Sequence, residues 1–344
     1  MRVLVATDAW QPQVNGVVRF LESLAREAIA LGSEIVFLTP NQFRTLPLPG
    51  YSEIRLALAS PRAVARAIAA ARPDSVHIAT EGPIRWMARR ACRSLGLPFT
   101  TSFHTRFPEY IAARLPLPQA WSYAALRAFH NAALCTMVGS AMLETELRAR
   151  GFNHLARWSP GVDTDTFRPQ PRRPLTFPGP VFLFVGRIAV EKNLEAFLRL
   201  DLPGTKVVVG EGPQRAAIEP QYPDVHFLGL LTGQALVDAY ASADVLVFPS
   251  LTDTFGMVIL EALACGVPVA AFPVMGPYDI LNNSGCGCLD HDLRRAALGA
   301  LDIPAARCRA YALEFSWQSS ARQFLDNTRR ARNLDGVRVA QPAL

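Results

Sequence analysis

Two acidic residues bracket the most specific stretch of the chain, Asp253 to Glu261, which reads DTFGMVILE. The stretch follows an apolar segment ending at Phe248 and opens a predicted helix. Amides at a helix start point outward and bind phosphates or sugar hydroxyls. The candidate ligand-binding residues here are Thr254, Phe255, Gly256, Met257 and Val258.

The spacing of the two acidic residues suggests how such a ligand would be held. Eight residues separate Asp253 from Glu261, which predicts two carboxylates two helical turns apart on nearly one face. They would bind both ends of an extended polar ligand, and Gly256 would let that ligand approach the backbone. The plainer alternative is a helix cap followed by a surface glutamate.

Basic residues follow another predicted strand of the same half. Gly186-Arg187 ends that strand, and Glu191-Lys192-Asn193 opens a predicted helix. Arg187 and Lys192 could together neutralise a diphosphate, with helix-start amides adding donors. The chain has 33 arginines but only two lysines, Lys192 and Lys206, which favours a chemical reason for lysine at this position.

The first half of the chain offers two further candidates. Gly16 lies in the turn after the first strand, where a missing side chain would let the loop approach a ligand; the alternative is a plain turn. His104 ends the strand containing Ser102 and Phe103 and has polar neighbours. It is therefore expected to face a ligand, although a lone histidine is more often structural, and His77 is assigned to the core.

Several catalytic motifs are missing or incomplete. No G-x-G-x-x-G follows the first strand, the string at 210–215 carries arginine in place of its last glycine, and there is no P-loop. These absences argue against a dehydrogenase or an NTPase. Asp163-Thr164-Asp165 matches a short metal-binding string but is interpreted as a hinge loop, and Asp290-His291-Asp292 as a helix start. We predict no metal.

The candidate residues follow predicted strands that alternate with helices. In the first half the strands are at 3–7, 34–39, 53–58, 75–79, 99–102 and 136–138. One helix ends at about residue 31, and the other helices span 61–71, 83–95, about 118–132 and 141–150. In the second half the strands are at 181–185, 206–209, 225–228, 245–248 and 267–271, with a helix at 191–200. Continuous apolar strands between helices indicate a parallel sheet covered on both faces. Such sheets bind ligands at the carboxyl ends of their strands.

The predicted fold class is therefore α/β, with two Rossmann-like doubly wound domains facing across a cleft. The N-terminal domain is expected at 1–165, a linker at 166–180, the second domain at 181–315 and a last helix at 316–331. Five prolines between Phe167 and Pro180 indicate that the linker is stiff.

Charge is distributed unevenly between the two halves. Residues 1–165 carry 18 arginines and 12 acidic side chains, whereas residues 166–344 carry 17 of each sign. The whole net charge of +6 thus lies in the first half. This asymmetry favours an anionic partner, and without a nucleic-acid motif a membrane surface is the better interpretation. A solvated arginine-rich surface is the alternative.

Other features indicate where the protein works. No apolar run is long enough to span a membrane, and Met1 to Ala6 reads as a buried strand and not as a signal peptide. The six cysteines lack metal-binding spacing and are interpreted as reduced thiols. We expect a cytoplasmic protein, with a possible peripheral position on the inner membrane face.

Taken together, these motifs resemble the retaining glycosyltransferases of family 4, which have the GT-B fold. The resemblance covers about residues 1–330. The motifs that carry it are the glycine of the first loop, Ser102 to Thr105, Gly161-Val162-Asp163, Gly186-Arg187 with Glu191-Lys192-Asn193, and Asp253 to Glu261.

The resemblance implies a role for each donor-site candidate. Glu261 would hold the ribose hydroxyls of a nucleotide sugar, and Asp253 would contact the transferred sugar. Arg187 and Lys192 would hold the diphosphate. Where the family usually has glutamate, this chain has Asp253, which leaves the sugar's identity open more than the reaction.

The resemblance also gives roles to the first domain. Gly16 would approach the diphosphate, and His104 would lie beside the reacting carbon, so His104 and Asp253 are the catalytic candidates. The last helix would cross back to this domain. The stretches at 7–10, 14–17 and 102–107 resemble bacterial GDP-mannose-dependent α-mannosyltransferases and the related enzymes that glycosylate diacylglycerol from UDP-sugars.

The predicted activity is transfer of a hexosyl group to a lipid or lipid-linked glycan. The preferred prediction is a mannosyl group from GDP-mannose. The resemblance implies front-face attack with retention, without a protein nucleophile and without a cofactor beyond the nucleotide sugar as co-substrate. Two other classes share the fold or the site: nucleotide-sugar epimerases, which need no acceptor, and a silent nucleotide-sugar-binding module. Product analysis separates them.

Overall fold

The computed structural model describes residues 1–11, 16–48, 51–80, 82–106, 108–109, 118–170 and 177–339. The chain divides into two compact units, Met1–Pro160 with Trp317–Leu344, and Gly161–Ser316. The division thus falls at Pro160 and not at 165. Of the expected linker, residues 171–176 lie outside the described ranges, while Phe167 and Phe177 pack against the core of the second unit.

The first unit is built around a six-stranded parallel sheet. Its strands, with two that lie outside this sheet, are β1 (Arg2–Ala6), β2 (Glu34–Leu38), β3 (Thr45–Leu48), β4 (Tyr51–Ala57), β5 (Ser75–Ile78), β6 (Phe99–Phe103), β7 (Cys135–Val138) and β8 (Leu155–Arg157). The first five helices are α1 (Gly16–Ala30), α2 (Pro61–Ala71), α3 (Pro83–Leu95), α4 (Gln119–His130) and α5 (Ala141–Ala149). The sheet order is β2-β1-β5-β6-β7-β8.

One predicted strand belongs to a different sheet. The strand expected at 53–58 is present as β4, but it pairs antiparallel with β3 in a separate two-stranded sheet. Only residues 49 and 50 separate the two strands along the chain. A connection this short can reverse the chain but cannot make the crossover that parallel pairing needs.

The second unit contains a second six-stranded parallel sheet. Its strands are β9 (Val181–Val185), β10 (Thr205–Val209), β11 (His226–Gly229), β12 (Val245–Phe248), β13 (Val269–Ala271) and β14 (Gly287–Leu289). Its helices are α6 (Leu194–Leu198), α7 (Arg215–Ile218), α8 (Gly233–Ala241), α9 (Met257–Ala264), α10 (Met275–Leu281), α11 (Leu293–Ala300) and α12 (Ala305–Ala312). The sheet order is β11-β10-β9-β12-β13-β14.

Strand order fixes where each sheet can bind a ligand. In the second unit the chain builds outward from β9 through β10 to β11, then returns to the other side of β9 with β12. The strand order therefore reverses between β9 and β12, and in the first unit between β1 and β5. At such a point the connecting loops diverge and leave a crevice at the carboxyl ends of the strands.

The helix predicted at 191–200 is interrupted. A short 3-10 turn spans Val190–Lys192, and α6 begins only at Leu194. Between them Asn193 adopts a left-handed conformation with φ 52°, and its side-chain amide donates to the Pro249 carbonyl at 3.1 Å. This contact with a loop distant in sequence ends the first turn and places Lys192 at its end.

The last helix, α13 (Trp317–Val339), packs within the first unit. Its buried Phe324 lies against Trp158, with ring centroids 4.8 Å apart. The Asn327 amide donates to the Arg157 carbonyl at 2.8 Å. Across the described part of the chain, none of the helices combines the length and apolar character needed to cross a membrane.

The six cysteines are free thiols, and five of them are buried. Burial raises the pKa of every one, to about 12 for Cys92 and Cys265. Thiols with raised pKa values remain protonated at neutral pH and react slowly.

Candidate active site

Two loops meet where the strand order of the second unit reverses. One follows β9 and ends at Asn193, and the other follows β12 and begins at Pro249. Besides the Asn193 bond, the Ser250 and Thr252 hydroxyls each donate to the Glu191 carbonyl at 3.3 Å. These bonds hold together the two loops that carry most of the predicted donor-site residues.

Lys192 and Asp253 form an ion pair across these two loops. The ammonium Nζ lies 2.6 and 2.8 Å from the two carboxylate oxygens of Asp253. The side chains are 24% and 16% exposed, so both charges are partly shielded from water and reachable by a ligand. The structure thus brings together two residues that the sequence assigned to different parts of the ligand.

Asp253 does not share a helix with Glu261. Helix α9 begins at Met257, so Asp253 to Gly256 form the loop before it, and the predicted common helical face is wrong. Gly256 has φ 108°, a conformation that L side chains rarely adopt, and a Cβ there would lie 2.9 Å from the Ile259 side chain. The glycine makes the sharp entry into α9 possible, and this entry separates the two carboxylates.

The start of α9 is partly open. Thr254, Gly256 and Met257 are half-buried, while Phe255 and Val258 are half-buried and pack against the core. The first amides of a helix have no partner within it and carry partial positive charge. The loop and helix start therefore combine amide donors with the adjacent ammonium of Lys192.

Glu261 is a buried carboxylate rather than a surface one. Its side chain lies inside α9 at 5% exposure, and the Tyr240 hydroxyl donates to Oε2 at 2.8 Å. Tyr240 is itself fully buried on α8. A carboxylate in such a place needs hydrogen bonds to compensate for lost hydration, and Tyr240 supplies one that sequence reasoning missed.

Arg187 lies two residues after the end of β9, in a loop that packs against the loop after β10. The Ile188 amide donates to the Glu211 carbonyl at 2.9 Å, and the Gln214 amide donates to the Ile188 carbonyl at 3.1 Å. Gly210 has φ 146°, and a Cβ there would overlap the Gly186 carbonyl oxygen. The glycines of the incomplete fingerprint at 210–215 thus serve close packing of two loops beside Arg187.

In the first unit, His104 belongs to a buried chain of hydrogen bonds. Its Nε2 lies 2.9 Å from the Ser102 hydroxyl, which lies 3.2 Å from Nε2 of His77. The His104 ring also contacts Phe20 and Trp158, with centroids 5.3 and 5.6 Å away. His77 is buried, as expected, and links the core to this chain of polar groups.

These contacts favour one tautomer of His104. The Ser102 hydroxyl donates to the Ala79 carbonyl at 3.1 Å, so its oxygen can only accept from the two imidazoles. The tautomer of His104 that carries its proton on Nε2 fits this arrangement, and Nδ1 is then an acceptor. Burial lowers the pKa of His104 to about 4, so the ring is neutral at neutral pH. It can accept a hydrogen bond, but it is not a cationic acid.

Gly16 is the exposed first residue of α1. The turn residues before it, including Asn15, lie outside the described ranges. Gly16 and His104 belong to the first unit, and the other predicted site residues belong to the second.

Asp8 is a polar residue at the strand reversal of the first unit that sequence reasoning did not select. Its carboxylate accepts from the Ile84 amide at 2.8 Å, at the start of α3, and its own amide donates to the Thr80 hydroxyl at 2.6 Å. Burial raises the pKa of Asp8 to about 6. An acidic residue two positions after a buried first strand was the available signal.

The two short acidic strings have structural roles in the described residues. Asp163 accepts from the amides of Asp165 and Thr166 at 3.2 and 3.0 Å and so closes a turn. Asp292 accepts from the first amides of α11, which is the predicted helix start. Across the ranges that the structure describes, no three acidic, histidine or cysteine side chains form a group that could hold a metal ion.

Comparison with known families places most of the chain, residues 14–166 and 179–300, among glycosyltransferases. Residues 14–166 match the family described as Glycosyltransferase Family 4, and residues 179–300 match the family described as Glycosyl transferases group 1.

Two characterised relatives differ in the sugar that their names give. The sulfoquinovosyl transferase SQD2 of Arabidopsis thaliana is 34% identical over 78% of this chain, and this chain spans 58% of its length. The GDP-mannose-dependent alpha-mannosyltransferase of Mycobacterium tuberculosis is 31% identical over 84% of this chain and 83% of that protein.

Solved structures share the fold at low identity. Sucrose-phosphate synthase of Thermosynechococcus elongatus has a TM-score of 0.76 at 20% identity, covering 97% of this chain and 99% of that one. Anabaena HepE, solved with UDP-glucose, has a TM-score of 0.71 at 15% identity, covering 95% and 98%. Both likenesses confirm the predicted two-domain architecture.

Proposed function

Because the chain belongs to glycosyltransferase family 4, we propose that it moves a hexosyl group, with retention, onto a hydroxyl of a lipid or lipid-linked glycan. That it is a glycosyltransferase using a nucleotide sugar follows from the family. The donor, the acceptor and the residue roles below are our proposal.

The ion pair of Lys192 with Asp253, beside the start of α9, is the observation that supports these roles best. Breaking the sugar–phosphate bond leaves extra negative charge on the diphosphate. Arg187, Lys192 and the α9 amides would stabilise that charge where it develops. Hydrogen bonds to charged groups contribute roughly 1.5–3 kcal/mol each, enough for large rate effects from a few donors.

The two carboxylates would hold the neutral parts of the donor. Asp253 would accept from hydroxyls of the transferred sugar, and Glu261 from the ribose hydroxyls. Gly16 would allow the first unit's loop close to the diphosphate. His104, neutral and with Nδ1 as acceptor, would bind a sugar hydroxyl near the reacting carbon.

The reaction would need no protein nucleophile, metal or further cofactor. The acceptor oxygen forms a bond to the anomeric carbon on the face that the diphosphate leaves. The carbon–oxygen bond to the diphosphate breaks, and the leaving phosphate oxygen takes the acceptor's proton. Exclusion of water would protect the oxocarbenium-like carbon from hydrolysis.

GDP-mannose is the donor that we propose first, with mannosyl as the transferred group. Relatives named as GDP-mannose-dependent mannosyltransferases match 84% of this chain at 28–31% identity. The alternative is a UDP-sugar donor. A relative at 34% identity is named for transfer of sulfoquinovosyl and not of mannosyl, and Asp253, at a position where the family usually has glutamate, leaves the sugar's identity open.

The acceptor proposal depends on charge. The excess of arginine in residues 1–165 fits peripheral association with an anionic membrane, where a lipid acceptor would be presented. Nucleic acid is not expected to bind, because no sequence motif for it is present.

A mass-spectrometric transfer assay tests this function. Purified protein is mixed with membrane lipid extract and, separately, with GDP-mannose, UDP-glucose, UDP-galactose, UDP-glucuronate and UDP-sulfoquinovose. A lipid that gains one hexose from GDP-mannose supports the first donor, and a gain only from a UDP-sugar moves the donor to the alternative.

Two other outcomes would change the class of function. Conversion of the sugar while it stays on the nucleotide would identify an epimerase. Donor binding without turnover on any lipid or soluble acceptor would identify a binding module. Transfer only to soluble acceptors would overturn the lipid acceptor.

A further inference from the structure

Helix α3 presents a basic, aromatic side to solvent. Trp86, Arg90 and Arg93 are exposed, and Arg89 is half-buried beside them. The Arg89 guanidinium lies 5.8 Å from the centroid of the Trp86 ring, close enough for a cation–π contact. These four residues, with Met87 and Ser94, line an open groove of about 600 Å³.

Helix α4 presents an exposed apolar side. Trp121 is 70% exposed, and Ala124, Ala125 and Ala128 are exposed as well. Spacings of three, four and seven residues place them on the same side of the helix as Trp121. A tryptophan this exposed gains little from its own fold, since most of its apolar area stays in water.

The two exposed sides join into one surface. The Arg89 guanidinium donates to the Ala128 carbonyl at 3.3 Å, and the Trp86 ring lies 5.2 Å from the ring of Phe129. These contacts join the two helices at Arg89 and Ala128, and we call the exposed residues on either side of this junction the arginine–tryptophan face: Trp86, Arg89, Arg90, Arg93, Trp121, Ala124, Ala125 and Ala128.

The charge of this face is not neutralised by its own helices. Between them α3 and α4 carry five arginines and no acidic residue. Burial, together with repulsion from Arg93, lowers the pKa of Arg89. An external anion beside Arg89, Arg90 and Arg93 would relieve this repulsion.

We propose that the arginine–tryptophan face docks on a bilayer containing anionic phospholipid. The arginines would contact headgroup phosphates, while Trp86 and Trp121 would lie at the level of the headgroups, where tryptophan is enriched in membrane proteins. A nucleic-acid backbone would match the arginines equally well. A sugar–phosphate backbone, however, would leave the exposed alanine side chains of α4 in water, whereas the headgroup region of a bilayer would cover them. This docking role rests on the lipid acceptor proposed above, because it would bring the enzyme to that acceptor.

Charge-matched variants test the face in the full-length protein. Sedimentation with vesicles of phosphatidylcholine, with or without phosphatidylglycerol, gives the partition constant. We expect Arg90→Gln with Arg93→Gln to weaken binding to phosphatidylglycerol vesicles about tenfold, since each basic residue near an anionic surface contributes measurably. The control is Arg62→Gln with Arg66→Gln, which removes the same charge from exposed positions on α2 and should change binding less than twofold.

A second pair of variants tests the apolar side. Trp121→Ala should weaken vesicle binding severalfold, whereas Ile29→Ala, at a side chain 73% exposed on α1, should not. Thermal melting of each variant, compared with wild type, checks that the protein is folded. Equal loss in the two arginine pairs, or no loss in either, would overturn the face as a docking site.

Other readouts separate this surface from the proposed function. If wild-type protein glycosylates detergent-dispersed lipid while Arg90→Gln with Arg93→Gln binds vesicles normally, the surface is wrong and the function stands. If the face binds vesicles but only soluble acceptors are glycosylated, the docking surface stands and the proposed lipid acceptor is wrong. Tighter binding to duplex DNA than to vesicles at equal salt, lost in the same variant, would assign the face to nucleic acid and overturn the membrane.

Discussion

The Lys192 ammonium lies within 2.8 Å of both carboxylate oxygens of Asp253, so two residues with separate expected tasks are paired with each other. A diphosphate carries more negative charge than one carboxylate and would compete for the same ammonium. Donor binding would then release Asp253 to accept from sugar hydroxyls. The ion pair holds both groups ready at the crevice between β9 and β12.

Lys192→Ala should lower kcat/KM at least tenfold with the correct donor, because the leaving diphosphate loses a charged partner. The matched control is Lys206→Ala, which removes the only other lysine; its ammonium donates to the Leu198 carbonyl at 2.6 Å, within the fold. Steady-state kinetics, with thermal melting to check folding, measure both. Unchanged kcat/KM for Lys192→Ala would refute the leaving-group role.

Asp253→Asn and Asp253→Glu separate charge from length. The asparagine variant keeps the size but loses the ion pair, so we expect at least a tenfold fall in kcat. Asp253→Glu restores the residue usual in the family and keeps the charge, so activity should persist with an altered preference among donor sugars. Competition between two nucleotide sugars measures the preference. An asparagine variant as active as wild type would contradict the role of the carboxylate.

Glu261→Gln should weaken GDP and UDP binding by similar factors, because the ribose is common to both nucleotides. The expected loss is about tenfold or more, the range for a hydrogen bond to a charged group. Tyr240→Phe removes only the hydroxyl that donates to Glu261 and should have a smaller effect. Isothermal titration measures both variants. Loss of affinity for one nucleotide alone would move Glu261 from the ribose to the base.

His130 should make the protein less stable as the pH falls below 6.5, the ordinary pKa of histidine. Burial, with a smaller contribution from Arg85, lowers the pKa of His130 from 6.5 to about 3. Between these values the unfolded chain binds a proton that the native chain does not, so the free energy of unfolding falls by up to about 1.4 kcal/mol per pH unit. In His130→Gln the midpoint of urea unfolding should therefore change less with pH between 6.5 and 4 than it does in wild type. The control, exposed His291→Gln, should parallel wild type, and a parallel profile for His130→Gln would reject this assignment.

Local signals predicted many elements at their observed bounds. Helices α2 and α3 begin at Pro61 and Pro83, where proline suits a first helical turn, and both end where the sequence indicates. Strands β9 and β12 have continuous apolar side chains and the predicted limits. In these segments propensity and pattern agree with the final structure.

Contacts between distant residues account for what the sequence could not predict. Asn193 ends a helical turn because its amide reaches Pro249, and Glu261 is buried because Tyr240 can donate to it. The proton on His104 depends on Ser102, whose hydroxyl donates to Ala79 of another strand segment. Each contact joins residues whose proximity no local pattern reveals, although their residue types were visible as polar groups near strand ends.

The chain enters the second unit at Gly161 and leaves it at Ser316, and this has a consequence for synthesis on the ribosome. The second unit is one continuous segment and can fold as soon as it has emerged. The first unit consists of two segments that are distant in sequence. Trp158 packs against Phe324, and the ring of Phe20 lies 5.4 Å from that of Trp317, so the first unit cannot be completed before the last helix has been made. The segment made first is thus completed last, and a nascent chain stopped before Trp317 would expose an aromatic surface that chaperones recognise.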